Sequence, residues 1–526
     1  MNKTAQAEDM LHDYAVEIGA ASINGAVILP GSGVTIKSTA AALFKRIAPT
    51  ESLFIRGNAV MGIIENNGAS AIEVISPAAA RSRFESYATL LAYRSGRDGK
   101  PVLKPAVLAQ EMATALLESE EARTFLPTIT GLINCPVIVS TDDGAQIVGR
   151  GYHSGTGLFI TGGQIPLKVE LSDAVRALED LVCEYVFQSP GDRSRALASF
   201  ITPALKLGGH LHSNVPADVA EADKSQSGKT YRQRLVAAVY NETASLVTCR
   251  SGGVGSVDES LNTQLIAGRP FIQLDNFRGK FDSPHIEALL TAEKSFPARV
   301  PHCREVMIDP SRFFVMLTSN GVETTRDFAN RGSIVRNRKR DGYKFLQYPE
   351  GDLLEHIRGC QSYYLGAVFA IIREWIDQGR PRSNETRHDF REWAQTLDWI
   401  VQNILGEGPL MEGHQDAQER VSNPSLTFLR NLALAVAEQD RLGESLIASE
   451  LYEIALSAEV GIPGLFEPDQ DKGKLLIGSI MGRLFKANDC LTLDGFTVTR
   501  DETETERHSG GGTYIAKLYQ FKRGAD

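Results

Sequence analysis

The sequence lacks any hydrophobic run long enough to cross a membrane. Its longest apolar stretches, such as Leu365–Ile372, stop far short of the roughly 20 residues that a spanning helix needs. The segment Met1–Asp13 mixes acidic and small polar residues and has no apolar core like that of a signal peptide. These absences predict a cytoplasmic protein that does not enter a membrane.

Closely spaced cysteines are also missing. No two of the six cysteines form a C-x-x-C pair, so the spacing argues against a cysteine-based zinc site or a disulfide framework. The pattern predicts scattered, reduced thiols in the core. The six are Cys135, Cys183, Cys249, Cys303, Cys360 and Cys490.

The chain carries no excess of positive charge. Its net charge is −10 and its pI is about 5.6, which argues against a surface coated in basic residues. Nucleic acid held in a local basic channel remains compatible with that balance. The content of 42% hydrophobic and 23% charged residues excludes a largely disordered chain, and 526 residues predict about three to four domains.

Changes of pattern along the chain predict an α/β protein with several parts. The polar, glycine-rich segment Gly406–Pro424 has no apolar period and is typical of a linker. After it, three predicted helices precede two strands, Leu491–Thr499 and Thr513–Phe521, which indicates a winged-helix-like module. The predicted divisions are an α+β N-terminal domain (1–170), a helical linker or collar (171–207), a wound α/β domain (208–405), a linker (406–424) and the winged-helix-like domain (425–526).

The clearest motif is Ser227-Gly228-Lys229-Thr230, which a helical stretch, Tyr231–Tyr240, follows at once. Phosphate binding needs backbone N–H groups at a helix N-terminus, a lysine that reaches the phosphates and a hydroxyl on Mg²⁺. Gly228, Lys229 and Thr230 meet these three needs. The motif therefore predicts a nucleotide site, although four such residues also occur by chance without that function.

Polar residues follow two apolar strands downstream of this motif. Pro270–Leu274 ends in Asp275-Asn276, and an acid in that position holds the magnesium beside a phosphate loop. Arg312–Leu317 ends in Thr318-Ser319-Asn320, where the amide of Asn320 can hold an attacking water.

Two arginines complete the pattern. Arg331 follows the sequence DFAN, and Arg336 comes five residues later. Guanidinium groups stabilise the charge of a transferred phosphoryl group, often from a neighbouring subunit. The order of phosphate motif, acid, polar strand end and arginine predicts an ATP-hydrolysing enzyme.

These elements resemble a known family. SGKT, FIQLDNFRG, MLTSN and DFANR are similar to the ATPase core of AAA+ proteins, most of all the superfamily 3 helicases and related ATPases of phages, plasmids and integrated mobile elements. The resemblance covers about residues 190–405, and LPTITGLINCPVI…GYHSGTGLFI resembles the region before that core. It implies a DNA helicase in replication, built as a homo-oligomeric ring, usually a hexamer, with ATP bound between subunits.

The resemblance also implies residue roles. Ser227, Gly228 and Lys229 would bind the phosphates, with Thr230 and Asp275 on the magnesium. Asn320 would be sensor 1 and Arg331 the arginine finger, with Arg336 as the alternative finger.

Two positions depart from the family pattern. Asp223 stands where the motif has its first glycine, and Asn276 stands where many relatives have the glutamate that activates water. Asp258 or Glu259 could supply that carboxylate; the alternative is that they are acids of a capped helix start. The departures keep open a slow or non-hydrolysing ATP-binding protein that clamps DNA or assembles partners, including a defence-associated ATPase.

The predicted DNA contact is a hairpin at Phe296–Ile308. The resemblance implies that a hairpin just before sensor 1 projects into the central pore and grips the DNA backbone. Arg299, His302 and Arg304 supply donors and positive charge for phosphates. The alternative is an ordinary surface hairpin with solvated charges.

Overall fold

The computed structural model describes most of the chain. The described residues are 22–23, 25–66, 69–96, 100–141, 144–222, 227–247, 256–277, 280–299, 305–320, 323–338, 346–463, 465, 469–506 and 513–523. Within these ranges, none of the helices combines the length and the apolar character that crossing a bilayer requires. Helices and strands alternate along the chain, which confirms the mixed α/β class.

The N-terminal region combines small sheets with short helices. Its helices are α1 (Ile36–Ile47), α2 (Pro77–Tyr87), α3 (Gln110–Leu117) and α4 (Glu120–Phe125). The strands that precede residue 106 are β1 (Ser22–Ile23), β2 (Ala26–Ile28), β3 (Leu53–Arg56), β4 (Ala59–Asn66), β5 (Ala69–Val74), β6 (Leu90–Ser95) and β7 (Pro101–Pro105). The strands that follow are β8 (Gly131–Ile133), β9 (Val137–Thr141), β10 (Gly144–Val148), β11 (Gly151–His153) and β12 (Leu158–Ile160).

The middle of the chain builds the largest sheet. Its strands and neighbours are β13 (Val186–Phe187), β14 (Ala217–Ala222), β15 (Ser245–Leu246), β16 (Phe271–Phe277), β17 (Lys280–Phe281), β18 (Phe296–Ala298), β19 (Val306–Ile308), β20 (Phe314–Asn320), β21 (Glu323–Thr324) and β22 (Gly332–Arg338). Among the described residues this sheet has six strands in the order β13-β22-β14-β20-β16-β15. Only β13 runs antiparallel to its neighbour.

Helices surround this sheet. They are α5 (Leu171–Asp180), α6 (Pro190–Leu207), α7 (Lys229–Val239), α8 (Val257–Ala267), α9 (Pro284–Thr291), α10 (Arg326–Asn330), α11 (Leu353–Gly359), α12 (Gln361–Asp377), α13 (Arg391–Asn403) and α14 (His414–Ser422). Strand β20 begins with the apolar run FVML, and Val219, Leu317 and Ile334 of three neighbouring strands are buried. Such runs are typical of parallel strands that are covered on both faces.

A buried arginine joins the N-terminal region to this sheet domain. Arg56, at the end of β3, donates hydrogen bonds to the carbonyls of Leu265 and Ile266, at 2.9 and 2.8 Å, in the last turn of α8. It also donates to the carbonyl of Thr130 at 3.1 Å. Helix C-termini leave carbonyls without intrahelical partners, and a cation there satisfies them.

The C-terminal part has its own core. Its elements are α15 (Pro424–Glu438), β23 (Ser445–Leu446), α16 (Ala448–Ser457), α17 (Gln470–Leu484), β24 (Cys490–Leu493), β25 (Phe496–Glu506) and β26 (Thr513–Arg523). The predicted strand Leu491–Thr499 is instead two strands, because Asp494 and Gly495 both adopt positive φ and form a tight turn. Together with β23, the described strands of this part form a sheet in the order β23-β26-β25-β24.

Two further expectations differ from the structure. The predicted linker contains helix α14, because Ala417, Arg420 and Val421 share one buried face that a search for apolar residues alone does not detect. The expectation of core thiols holds for Cys135, which is buried, but is wrong for Cys183 and Cys490, which are exposed.

Candidate functional site

Asp275, Asn320 and the SGKT segment, which belong to the predicted nucleotide site, lie where parallel strands end at one edge of the main sheet. Strand β14 ends at Ala222, whose Cα lies opposite that of Asn320 at the end of β20. Strand β16 carries Asp275 beside β20. Carboxyl ends of neighbouring parallel strands form the crevice in which α/β proteins bind ligands. The strand order therefore brings three separate sequence motifs to one place.

Helix α7 begins inside the SGKT segment, as the sequence predicts. Gly228 precedes the helix with φ of +82°, in the left-handed region. A Cβ on Gly228 would also lie 3.0 Å from Cε1 of Tyr185. Glycine meets both demands, and it lets the helix start with its N–H groups exposed to an anion.

Thr230 and Asp275 are in direct contact. Thr230 Oγ1 donates a hydrogen bond to Asp275 Oδ1 at 2.7 Å. Thr318 Oγ1 donates to the same carboxylate oxygen at 2.7 Å and accepts from the backbone N–H of Asn276 at 2.7 Å. A hydroxyl and a carboxylate in contact are the hard oxygen ligands that Mg²⁺ prefers.

Lys229 is buried next to this pair. Its side chain is 7% exposed. Burial lowers the pKa of Lys229, while the negative charge of Asp275 acts in the opposite direction. The ammonium group is thus held in a partly desolvated position where an anionic ligand would stabilise its charge.

Asn276 occupies a strained backbone position. Its φ is +51°, and the pairing of β16 with β20 is irregular between Leu274 and Phe277. Asparagine tolerates the left-handed region better than glutamate does. This conformation gives a physical reason for the amide at a position where the resemblance leads one to expect an acid.

A cavity of about 450 Å³ opens beside the SGKT segment. Tyr185 and Tyr231 contribute aromatic rings, and Leu346 and Leu353 contribute aliphatic surface. The other lining residues are Glu184, Val186, Ser227, Gly228, Arg338, Gln347 and Asp352. The volume lies in the range typical of small-molecule sites.

Ser227 shows a polar atom that lacks a partner. Its Oγ is buried and makes no hydrogen bond to any described residue. Buried polar atoms are almost always paired, so an unpaired hydroxyl on a residue that lines the cavity fits a site that a polar ligand completes. This observation supports the place of Ser227 in the predicted binding set.

The predicted substitute acids, Asp258 and Glu259, lie in the first turn of α8. Ser256 caps this helix, and its hydroxyl accepts a hydrogen bond from Glu259 N at 3.3 Å. This geometry matches the alternative interpretation, in which both acids stabilise a helix start.

Arg331 lies at the opposite edge of the sheet. Arg331 immediately precedes Gly332, and the Cα of Gly332 pairs with that of Ala217, the first residue of β14. The SGKT segment comes after the other end of the same strand. Five residues at about 3.3 Å each separate the two edges by roughly 17 Å. Arg331 Nη1 donates to the carbonyl of Glu287 at 3.1 Å and lies 3.8 Å from its Oε2.

Arg336 is buried and lies between two carboxylates. Its Nε lies 3.5 Å from Asp192 Oδ2, and its Nη1 donates to Asp494 Oδ1 at 2.5 Å. The structure therefore places this predicted alternative finger in an ion-pair network within the chain.

The structure contains the two antiparallel strands of the predicted hairpin, β18 and β19. Phe296 pairs with Ile308 and Ala298 with Val306, in antiparallel register. Arg299 is exposed at the end of β18. His302 and Arg304 lie outside the described residues. The turn before β4 contacts the returning strand, since Asn58 Nδ2 donates to Glu305 O at 3.1 Å.

Thr318 and the cavity were not predicted from the sequence. Thr318 lies in the MLTSN segment, two residues before the end of β20. A hydroxyl near the end of that strand is the sequence signal that points to it. The cavity joins residues 184–186, 227–231 and 346–353, and no local pattern connects segments so far apart.

No protein-family model and no curated protein matches this sequence. Among solved structures, the chain is similar to one described as the active helicase Cch of SCCmec type IV, with 11% identity and a TM-score of 0.31. The match covers 88% of this chain and 90% of that one. A second is the A-form apo structure of the NrS-1 C-terminal region, with 10% identity and a TM-score of 0.31. It covers 84% of this chain and 99% of that one. Both likenesses are too distant to indicate what this chain binds.

Proposed function

We propose that this protein is an ATP-dependent, ring-forming DNA helicase or translocase with an AAA+ core, acting in replication of a phage or mobile element. The observation that carries the proposal is the hydrogen bond of 2.7 Å between Thr230 and Asp275, beside the buried Lys229 at the start of α7. Three residue types that phosphate and magnesium require thus meet at one sheet edge.

The residues present fit a magnesium-bound nucleoside triphosphate. The first turn of α7 and Lys229 would bind the phosphates, and Thr230 and Asp275 would hold the ion. Ser227, whose buried hydroxyl has no hydrogen-bond partner among the described residues, lines the cavity, whose tyrosines offer aromatic surface to a base. When bound, the ion neutralises charge on the phosphates. Asn320 ends the adjacent strand β20, and in this proposal its amide would orient a water.

The position of Arg331 supports a ring. At roughly 17 Å from the SGKT edge, its guanidinium is out of reach of the nucleotide site of its own chain. A finger on that side is useful only to a neighbouring copy. A closed ring gives every copy such a neighbour, and a hexamer is the number that the resemblance implies.

The hairpin supports a DNA contact. Phe296 and Ile308 are buried in the core, so the two strands of the hairpin have a fixed base. Arg299, which follows β18, is exposed. Charges there would bind phosphates of single-stranded or forked DNA in a central pore without reading its sequence. The winged-helix-like module formed by α15–α17 and β24–β26 is a second candidate for DNA contact.

One observation favours a second function. The exposed amide of Asn276, on a left-handed backbone, replaces the acid that would activate water. A protein of this kind would bind ATP and close a ring around DNA, but it would hydrolyse slowly or not at all. Tight ATP binding with no turnover would identify this clamping or assembly function, including a role in defence.

Strand displacement on forked DNA tests the leading proposal. We expect unwinding that requires ATP and Mg²⁺, and its loss in Lys229→Ala. Lys37→Ala is a matched control, since the Lys37 side chain is 81% exposed and lies in the N-terminal region. ATP-independent unwinding, or equal loss in both variants, would contradict the assignment.

A further inference from the structure

Three side chains of different chemistry meet beside the short helix α11. Glu350 lies in the turn before the helix, His356 lies within it, and Cys360 follows its last residue. The ligating atoms of these side chains all lie within 4.8 Å of one another. None of them belongs to the predicted nucleotide site.

The distances are close to those around a tetrahedral metal. His356 Nδ1 lies 2.8 Å from Glu350 Oε2, and Cys360 Sγ lies 4.0 Å from both His356 Nδ1 and Glu350 Oε1. Zinc bonds of about 2.3 Å to sulfur and about 2.0 Å to nitrogen or oxygen place such ligand atoms roughly 3.4–3.6 Å apart. The contact of His356 with Glu350 is about half an ångström shorter than this spacing, and the two contacts of Cys360 are about half an ångström longer.

The backbone already holds the three ligands together. His356 and Cys360 are four residues apart, and Cys360 N donates to His356 O at 2.9 Å, which continues the helical turn. Tyr348 and Gly351 exchange two backbone hydrogen bonds of 3.0 Å, which fix the turn that carries Glu350.

Aromatic rings orient the imidazole. The ring of Tyr348 stacks on that of His356 at 4.5 Å, and Tyr364 lies edge-on at 5.9 Å. With the ring so held, Nδ1 points to the other two ligands. Side chains that are positioned before a metal arrives lose little freedom when they bind it.

The donor set selects the class of metal. One nitrogen, one sulfur and one carboxylate oxygen suit a borderline cation such as Zn²⁺, whereas Mg²⁺ takes oxygen ligands. Glu350 is exposed, so a water can reach a fourth position. We propose that Glu350, His356 and Cys360 form a binding site for a borderline divalent cation, Zn²⁺ foremost, with water as the fourth ligand.

Binding requires a proton to leave. An ordinary cysteine thiol is neutral at pH 7, whereas zinc binds the thiolate. As the zinc–sulfur bond forms, the thiol proton passes to solvent. The product is a zinc thiolate, with no change of oxidation state.

The site lies next to the cavity beside the SGKT segment, so a bound ion would affect the structure of that cavity. Leu354 N, in α11, donates to the hydroxyl of Tyr231 in α7 at 2.8 Å. Asp352 and Leu353 line the cavity beside the SGKT segment. A metal that fixes the turn and α11 would therefore stiffen one wall of that cavity. The site itself does not depend on the proposed function.

Cobalt titration of the full-length protein, stripped of metal, tests the proposal. We expect a thiolate-to-cobalt charge-transfer band that saturates at one equivalent and disappears when Zn²⁺ is added, with no effect of Mg²⁺. Cys360→Ser should lose the band, and Cys490→Ser, which removes an exposed cysteine outside the cluster, should keep it. Absence of the band in the parent protein, or its persistence in Cys360→Ser, would overturn the site.

Two variants that keep the thiol cover the case in which Cys360→Ser fails to fold. Glu350→Gln and His356→Gln each remove one ligand, and each should weaken cobalt binding roughly tenfold or more. Circular dichroism would establish that they are folded. Cobalt affinity equal to that of the parent protein in both variants would also overturn the proposal.

Discussion

Arg336 donates a hydrogen bond to Asp494 across 2.5 Å, which ties strand β22 to the turn between β24 and β25. Arg420 Nε and Arg430 Nε lie 3.3 and 2.9 Å from the other oxygen of the same carboxylate. Arg420 also forms a paired contact with Glu221, just before the end of β14. Through these contacts, the C-terminal part is anchored to the strand that leads into the SGKT segment.

Loss of the Asp494 charge should be strongly destabilising. Asp494→Asn keeps the shape and tolerates the positive φ, but it leaves three buried arginines without that carboxylate. We expect the free energy of unfolding to fall by about 3–5 kcal/mol. Urea unfolding measures it. Asp489→Asn is the control, because its side chain is 71% exposed and its ion pair should contribute less than about 1 kcal/mol. Equal effects of the two substitutions would contradict this account.

Thr318 should act as a positioning residue for Asp275. Thr318→Val keeps the side-chain shape but removes the donor to Asp275 and leaves the N–H of Asn276 without its acceptor. We expect a lower turnover rate and a higher Mg²⁺ requirement, measured as the magnesium dependence of ATP hydrolysis. Thr318→Ser restores the hydroxyl and should recover most of the parent behaviour. If valine and serine give the same magnesium curve, the hydroxyl has no such role.

Arg331 should act on the nucleotide of a neighbouring copy. Arg331→Ala is expected to bind ATP normally but to lose about 10³-fold or more in turnover. Mixing it with Lys229→Ala protein should restore part of the activity, because some interfaces then combine an intact site with an intact finger. Arg326→Ala is the control, because Arg326 is an exposed arginine at the start of α10, the helix that Arg331 follows. Assembled rings in which mixing restores nothing would argue against a shared site.

Acid should destabilise the fold through buried histidines. Burial lowers the pKa of His388 from 6.5 to about 4. Its Nε2 donates to Gly332 O at 3.2 Å, and its Nδ1 accepts from Phe390 N at 3.1 Å, so the neutral ring is bound. Because the pKa of His388 is lower in the folded state than in the unfolded state, its neutral ring contributes fully to the free energy of unfolding above pH 6.5. This contribution is lost as the pH falls toward 4.

The loss attributable to His388 is on the order of 3 kcal/mol. His388→Gln should flatten the dependence of unfolding free energy on pH between 6.5 and 4. His212→Gln, at an exposed histidine, should leave the slope unchanged. An unaltered slope in His388→Gln would remove this histidine as a source of acid sensitivity.

Much of the candidate site follows from local sequence. The SGKT segment predicts its helix because glycine, lysine and threonine have direct roles at a helix start. Apolar runs that end in polar residues predict β16 and β20, and parallel pairing then brings Asp275 and Asn320 to one edge.

Other features depend on long-range packing. Helix α14 is held by Arg420, whose partner Glu221 is 199 residues away, so its polar sequence resembles a linker. The cavity wall at 346–353 meets Tyr231 only in the folded chain. The Asp494-Gly495 turn is itself a local hairpin signal, but the three arginines that contact Asp494 lie on β22, α14 and α15. Local patterns carry no information on such contacts.

The steady-state rate of phosphate release from ATP tests the central claim most directly. It should be measured with Mg²⁺, with and without single-stranded DNA, for the parent protein, Lys229→Ala and the Lys37→Ala control. The account predicts hydrolysis by the parent and the control, stimulation by DNA, and no turnover by Lys229→Ala, since that ammonium is beside the Thr230–Asp275 pair. Hydrolysis by Lys229→Ala at the parent rate would contradict the assignment of the nucleotide site.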